Sequence, residues 1–337
     1  MRLSAELQDA IQRETEKVDR PKLARATAQL SEHYKAADFS TPAVASEVHR
    51  AAYLAVRLPA TYAAISRVFA EIKLRVPEAE IASLLDLGAG PGTALFAASE
   101  VFPQLQQATL VESDAGWLAQ GKRLAERSKS PVVQKAQWIK QDLRSGLSCE
   151  KHDLVVISYT LGELPQAAAE AVLNKAWRCA GKFLVLIEPG TRRGFAAINA
   201  ARSALLANAA AILAPCPHHF TCPMAAAGDW CHFSQRVERT SQHRQLKGGA
   251  LGYEDEKFSY LVAAKNNSPS TGARIVRHPG KHSGHVKLAL CTAKGQIENR
   301  TITRSSKDAY KRARKAEWGD AWSDGCGSDM VAWPHRP

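Results

Sequence analysis

No run among the 337 residues is apolar for long enough to cross a membrane. The longest candidates, such as residues 204–215, are short and alanine-rich, far below the ~20 residues a spanning helix needs. A signal core is missing too, because MRLSAELQDAIQRETEKVD carries acids from its first turn. Export and membrane contact are therefore not expected. The expectation is a cytoplasmic chain in a reducing compartment, acting as a monomer. No internal repeat is evident, and 45% apolar with 23% charged residues is an ordinary globular mix.

Two further scarcities are uneven. There are seven cysteines, yet three fall within CPHHFTCPMAAAGDWC, residues 216–231. In a reducing compartment such clustering favours metal or redox chemistry over structural disulfides. Acidic residues nearly vanish between 266 and 315, where twelve Lys/Arg face only Glu298 and Asp308. That segment holds 12 − 2 = +10 of the net charge of +12. Positive charge concentrated in this way marks a polyanion partner, most commonly nucleic acid.

Residues 1–80 read as helices. Thr41-Pro42 has the form of a helix start, and Leu58-Pro59 divides two amphipathic stretches. From Ile81 the pattern changes. Apolar runs at 81–87, 108–113, 137–142, 153–159 and 182–190 alternate with helical segments, which predicts a parallel sheet covered on both faces. Residues 258–265 and 285–290 are further strand candidates, and 301–320 contains a basic helix.

LLDLGAGPGTALF is strand, turn and helix, with Gly88, Gly90 and Gly92 in the turn. Glycine there lets a ligand approach the backbone beside a helix N-terminus. Thr93 stands where a dinucleotide fingerprint has its third glycine, and the G-K-[ST] ending of a phosphate loop is missing. Glu112, twenty residues past Gly92, ends the second strand, where a carboxylate can accept both ribose hydroxyls. Asp142 ends the third strand, and Asp86 lies near the end of the first, able to orient the loop or receive a cationic group. Over residues 81–190 this constellation resembles the class I S-adenosylmethionine-dependent methyltransferases. The resemblance implies a Rossmann-like α/β fold. It also implies a cofactor held by Asp86, Gly88, Gly90, Gly92, Glu112 and Asp142, with the second acid on the ribose and the third on the adenine.

The catalytic position is thin. The fourth strand ends Ser158-Tyr159-Thr160-Leu161, without the N/D/S-P-P-Y/F turn of amine methyltransferases and without a nucleophilic cysteine. Ser158 and Tyr159 are the candidates left. Methyl transfer needs mainly in-line positioning, so a missing base does not exclude it.

Cys216, Cys222 and Cys231 are spaced C-x5-C and C-x8-C. Zinc would accept them with His218, His219 or His232, although zinc sites usually show tighter pairs. An iron–sulfur cluster wants four thiolates and tolerates wider spacing, with the fourth from Cys149, Cys179, Cys291 or Cys326. Spacing alone leaves both open. A second resemblance separates them. RLPATYAA (57–64), LDLGAGPGT, IEPGTRRGF (187–195), CPHHFTCP…WCHFSQR, KHSGHVKLALCTAKG (281–295) and ARKAEWGD (313–320) occur in this order. Together they resemble the Rsm family of methyltransferase-like factors associated with the mitochondrial small ribosomal subunit, and its bacterial relatives. The resemblance implies a [4Fe–4S] cluster on Cys216, Cys222, Cys231 and Cys291. Cys149, Cys179 and Cys326 are then ordinary cysteines.

The expected organisation is a helical region to residue 80 and a methyltransferase domain over 81–265 with a cysteine-rich insertion at about 211–235. A basic module over 266–322 and a loose tail follow. Arg274, Arg277, Lys281, Lys311, Arg312, Arg314 and Lys315 are the expected contacts to ribosomal RNA, with Tyr310 and Trp318 interleaved to stack on bases. Two functions fit: a small-subunit rRNA methyltransferase, or a non-catalytic small-subunit assembly factor that uses the same pocket and cluster structurally or as a sensor. A zinc-bearing methyltransferase of a protein or small molecule is a third.

Overall fold

The alternating strands join into one eight-stranded sheet in a computed structural model that describes residues 1–36, 46–146, 150–247, 251–266 and 272–323. Strands β1 (Ser83–Leu87), β2 (Gln107–Glu112), β3 (Gln137–Lys140), β4 (His152–Ser158) and β5 (Ala180–Pro189) are parallel. β6 (Ala211–Ala214), β7 (Phe233–Glu238) and β8 (Tyr253–Ala264) complete it, with β8 antiparallel to β5, β6 and β7. The order is β3-β2-β1-β4-β5-β8-β6, with β7 on β8. The order of successive strands therefore reverses between β1 and β4, which run parallel, and this is the switch point outside which open sheets bind ligands.

Central strands are mostly apolar because helices cover both faces. Every residue of β1 is buried, with Leu84 in the core on one face and Leu85 and Leu87 in the core on the other. Helices α1 (Ala5–Thr15), α2 (Arg20–Ala36), α3 (Glu47–Val56) and α4 (Leu58–Arg75) precede the sheet. Ser46 caps α3 by accepting the His49 N–H at 3.3 Å, and Pro59 sits in the first turn of α4, where its missing N–H costs nothing. The helix start expected at Thr41 lies outside the described residues. Between and after the strands run α5 (Thr93–Val101), α6 (Ala115–Ala125), α7 (Pro131–Gln134), α8 (Gln166–Cys179), α9 (Arg192–Ala207), α10 (Pro223–Ala226) and α11 (Ser241–Lys247).

A second sheet of five strands follows: β9 (Ala273–Ile275), β10 (Gly280–Lys281), β11 (His285–Thr292), β12 (Ile297–Thr303) and β13 (Ala321–Trp322). α12 (Lys307–Lys315) packs on it through Ala309, Tyr310, Ala313 and Ala316, which join Val286, Leu288 and Leu290 in a small core. No helix among the described residues is long and apolar enough to cross a membrane.

Candidate cofactor cavity and cysteine centre

The turn after β1 needs its glycines. Gly88, Gly90 and Gly92 have φ of +76°, +52° and +83°, a region costly for other residues. At Gly88 a side chain is excluded twice over, since a Cβ would stand 2.4 Å from Thr160 Oγ1. The Gly90 N–H donates to Glu112 Oε2 at 2.8 Å, and the Asp114 N–H to Oε1 at 2.8 Å. Glu112 thus ties the turn after β1 to the turn after β2; Oε1 also accepts the Ser113 hydroxyl at 3.3 Å, and Oε2 keeps a further lone pair for a ligand hydroxyl.

A cavity of about 590 Å³ opens over these turns, within the size range of small-molecule sites. Gly88, Gly90, Glu112, Asp142, Ser158 and Tyr159 line it. His33 of α2, Tyr53 of α3 and Thr61 of α4 form part of its wall, so the N-terminal helices help enclose the site. Asp86 and Gly92 are not among the lining residues. Gly92 is the left-handed N-cap of α5. Asp86 is buried, and neither of its oxygens has a hydrogen-bond partner. Burial, then the nearby Glu112 charge, pushes its carboxyl up to about 8.

Asp142 is committed locally. It caps a short 3₁₀ turn by accepting the Arg144 N–H at 2.8 Å, and it pairs with the Arg144 guanidinium at 2.6 Å. That hydrogen bonding holds its carboxyl below the usual range. Tyr159 has a φ of +56°, uncommon for a bulky residue. Its hydroxyl donates to Glu256 Oε1 at 3.1 Å, and Arg57 grips the same carboxylate through two bonds of 3.0 Å. Burial raises the phenol well above its ordinary value, so it stays protonated and is no base.

Sequence reasoning overlooked Glu188, which is buried at the end of β5 and lines the cavity. Burial, opposed in part by backbone N–H donors, raises its carboxyl to about 7. The signal was available, because the rule that sites form at strand ends was applied to the first three strands and not to the fifth.

The second feature lies between the two sheets. Cys216 follows β6, Cys222 is the N-cap of α10, Cys231 precedes β7 and Cys291 lies on β11. All four are free thiols, and all four line one void of about 30 Å³. His218 Nε2 lies 3.4 Å from Cys291 Sγ, and the buried Arg202 donates to the His218 carbonyl at 2.9 Å. Burial, then the mutual repulsion of sulfurs, pushes up Cys231, well above its ordinary value, and Cys291, to about 12. Four such thiols ionise together only around a cationic centre. Among the described residues, no group of three or more His, Cys, Asp or Glu side chains is arranged to hold a metal ion. Cys179, expected to be an ordinary thiol, is disulfide-bonded, while Cys149 and Cys326 lie outside the described residues.

The basic candidates divide. Arg274, expected on an RNA-facing surface, is instead an internal pin, 2% exposed. It pairs with Glu71 of α4 at 3.0 Å and donates to the Pro215 carbonyl at 3.0 Å and to that of Gly319. Alternation along β9 turns this side chain inward, and α4 supplies the buried acid that meets it. Arg277 is half-buried against Asp229. Arg312 is also half-buried, with its guanidinium over the Trp322 ring. Lys281, Lys311, Arg314 and Lys315 are exposed. The aromatic residues expected to stack on bases are occupied. Trp318 packs edge-on against His232 and His278, and the Tyr310 hydroxyl donates to the Ser283 carbonyl.

Residues 47–323 match the protein family described as mitochondrial small ribosomal subunit Rsm22. The chain belongs to this family. Among curated relatives, the mitochondrial ribosome assembly protein METTL17 of Homo sapiens is 30% identical over 286 residues, covering 80% of this chain and 61% of that protein. The mitochondrial Rsm22-cox11 tandem protein 2 of Schizosaccharomyces pombe is 27% identical over 340 residues, covering 80% of this chain and 42% of that one. The Rsm22-family chain thus spans 61% and 42% of these relatives' lengths. The crystal structure of magnesium protoporphyrin IX methyltransferase from Synechocystis with bound S-adenosylmethionine is 15% identical, with a TM-score of 0.38 over 62% of this chain and 79% of that one. At that score the likeness carries no weight. The class I methyltransferase fold rests on strand order and on the antiparallel β8.

Proposed function

We propose that this Rsm22-family chain is an assembly protein of the small ribosomal subunit. It holds S-adenosylmethionine in the 590 Å³ cavity and a [4Fe–4S] cluster on Cys216, Cys222, Cys231 and Cys291, and it contacts ribosomal RNA through its exposed basic face. The observation that carries the reading is the meeting of four free thiols, three from one segment and one sixty residues later, around one void. The donor set fits a cluster better than zinc. Thiolates on a single zinc, at bonds of about 2.3 Å, must crowd around one point and usually come from tighter sequence pairs than C-x5-C and C-x8-C. Thiolates of a four-iron cluster each bind a different iron and ring a wider space. A bound cluster would supply the positive centre that these buried sulfurs need, and would join the β6–β7 segment to β11.

For the cofactor, Glu112 would accept the ribose hydroxyls while the glycine turn passes close to the methionine end. Asp142, held by Arg144, is left to receive the adenine edge with one face of its carboxylate. The assembly reading is preferred to the methyltransferase one because the Tyr159 hydroxyl is held by Glu256 and cannot serve as a base. Ser158, at the cavity wall, is the candidate that keeps methyl transfer open. We place the chain in the cytoplasm, whereas the curated relatives quoted above are named as mitochondrial.

The test is anaerobic purification followed by iron and sulfide analysis and a visible spectrum. About four irons and four sulfides per chain, lost in Cys291→Ser, is the expected result. Stoichiometric zinc without sulfide would refute the cluster. Methyl transfer to small-subunit particles, abolished by Glu112→Ala, would restore the enzymatic reading.

A further inference from the structure

Glu188 touches the turn that follows β4, and that turn touches the glycine loop. The 3₁₀ turn Leu161–Glu163 receives no cap from its own N-cap residue, Thr160. The cap comes across space. The Gly162 N–H donates to Glu188 Oε1 at 3.3 Å, and the backbone N–H groups of Leu161 and Thr160 are also directed to this carboxyl. Arg193 of α9 grips the same residue through the following peptide, donating to the Gly162 carbonyl at 2.7 Å. Thr160 Oγ1, fixed by the Ser158 carbonyl at 3.0 Å, fills the space where Gly88 would carry a side chain. A chain of contacts therefore runs from the buried acid at the end of β5, through a turn, to the first glycine of the loop.

We infer that Glu188 is a positioning residue, which holds the 160–163 turn against the glycine loop and thereby sets the affinity of the cavity for S-adenosylmethionine. This rests on the cofactor reading above. The ionised carboxyl accepts the Gly162 N–H and attracts those of Leu161 and Thr160, whereas the protonated acid gives up part of that capacity. With its carboxyl raised to about 7, the clamp is complete above that pH and loosens below it. The charged groups around it are Glu163 of the turn, Arg193 of α9 and, across the cavity, Glu112 of β2. Tyr159, just after β4, stays protonated, and the neighbour on β8 is the neutral Ser259.

The experiment is equilibrium binding of S-adenosylmethionine to the full chain from pH 6 to 8.5, alongside amide hydrogen exchange at Leu161 and Gly162 corrected for intrinsic rates. Two variants are compared with the wild type. Glu188→Gln removes the charge. Gly162→Ala keeps it but places a Cβ 2.9 Å from Glu188 Oε2, displacing the carboxyl. For the wild type, affinity is expected to fall about five- to tenfold from pH 8 to 6. For Glu188→Gln we expect about tenfold weaker binding at pH 8 and a pH dependence reduced to what Glu163, raised to about 6, and Asp86, raised to about 8, still contribute, with faster exchange at both amides. Gly162→Ala is expected to weaken binding while keeping a pH profile. Wild-type affinity, pH profile and protection in Glu188→Gln would overturn the inference. If the wild-type chain binds no S-adenosylmethionine at any pH, the cofactor reading fails instead. The exchange comparison then decides the clamp on its own: unchanged protection in Glu188→Gln overturns it.

Discussion

The cofactor cavity and the cysteine centre are built in opposite ways. The cavity's defining parts lie close together in the chain: strand, glycine turn, and an acid twenty residues later. The cysteine centre draws on β6, α10, β7 and β11, and so depends on tertiary structure bringing two sheets together. A locally encoded site survives distant damage. A site assembled across an interface is only as firm as the contacts holding that interface, and here the firmest is polar. Arg274 reaches from the second sheet to Glu71 of α4, to the carbonyl beside Cys216 and to Gly319.

The largest expected effect breaks this comparison at that pin. Arg274→Ala removes a buried cation from its acid and two carbonyls, a class of change that costs about 3–5 kcal/mol. The lower end applies here, because Arg75 also pairs with Glu71, at 2.8 Å. Denaturant unfolding of the purified chain measures it. The iron content should fall with stability, while S-adenosylmethionine binding by the surviving folded fraction stays intact. Equal loss at both sites would show that the two regions are one cooperative unit.

Asp86→Asn tests the cavity side, where the cost lies in a charge rather than a missing contact. Asp86 rises to about 8 when folded, against an ordinary value of 3.8. Between those limits the native state keeps a proton that the unfolded chain has released, so its stabilising contribution is lost as pH rises towards 8. The asparagine variant does not titrate there. Its stability relative to the wild type should climb from pH 5 to 8, on the order of 1 kcal/mol per pH unit, and level off above 8. Melting curves across that range read it directly, and a flat difference would mean that a hydrogen-bonded water already satisfies the carboxylate.

Within the loop the two ends separate more finely. Gly90→Ala meets open space and pays only for its positive φ, about 1 kcal/mol. Gly88→Ala meets Thr160 as well and should cost about 2–3 kcal/mol, with weaker cofactor binding. Thermal unfolding with and without S-adenosylmethionine separates the two costs, and similar values would show that the 158–163 turn yields readily.

How much of this was legible in the chain follows the same division. The strands of the parallel sheet were readable because each is a compact apolar run between turn residues, and the glycine loop because its spacing is local. β6, β7 and the short strands of the second sheet were not, since pairing rather than pattern makes them strands. Cys291 could be grouped with the other thiols only through the family resemblance, as nothing in its spacing selects it over Cys149, Cys179 or Cys326. Arg274 was misassigned for a physical reason. A basic residue in a basic segment looks solvated until the fold supplies a buried Glu71, 203 residues earlier.

That correction narrows the RNA-facing surface and makes its behaviour predictable. With Arg274 internal and Arg277 half-buried against Asp229, the exposed cations of the original set are Lys281 of β10 and Lys311, Arg314 and Lys315 of α12, Arg314 also donating to the His282 carbonyl. The neighbouring aromatic residues are engaged in packing, so base stacking contributes little there. What remains is phosphate neutralisation, which reads no sequence and releases counterions. Substituting Lys311, Arg314 and Lys315 together with alanine should weaken binding to a small-subunit rRNA fragment about tenfold at low salt. It should also reduce the slope of log K against log[salt] by about 2. Two unrelated single-stranded RNAs of equal length should lose affinity equally. Arg312→Ala makes the contrast, because that side chain spends itself on the Trp322 ring and the Ser323 carbonyl. It should lower the melting temperature more than the RNA affinity. If the triple variant instead loses affinity for one RNA and not the other, base readout is present on this face, and the second sheet is a specific reader rather than a cationic grip.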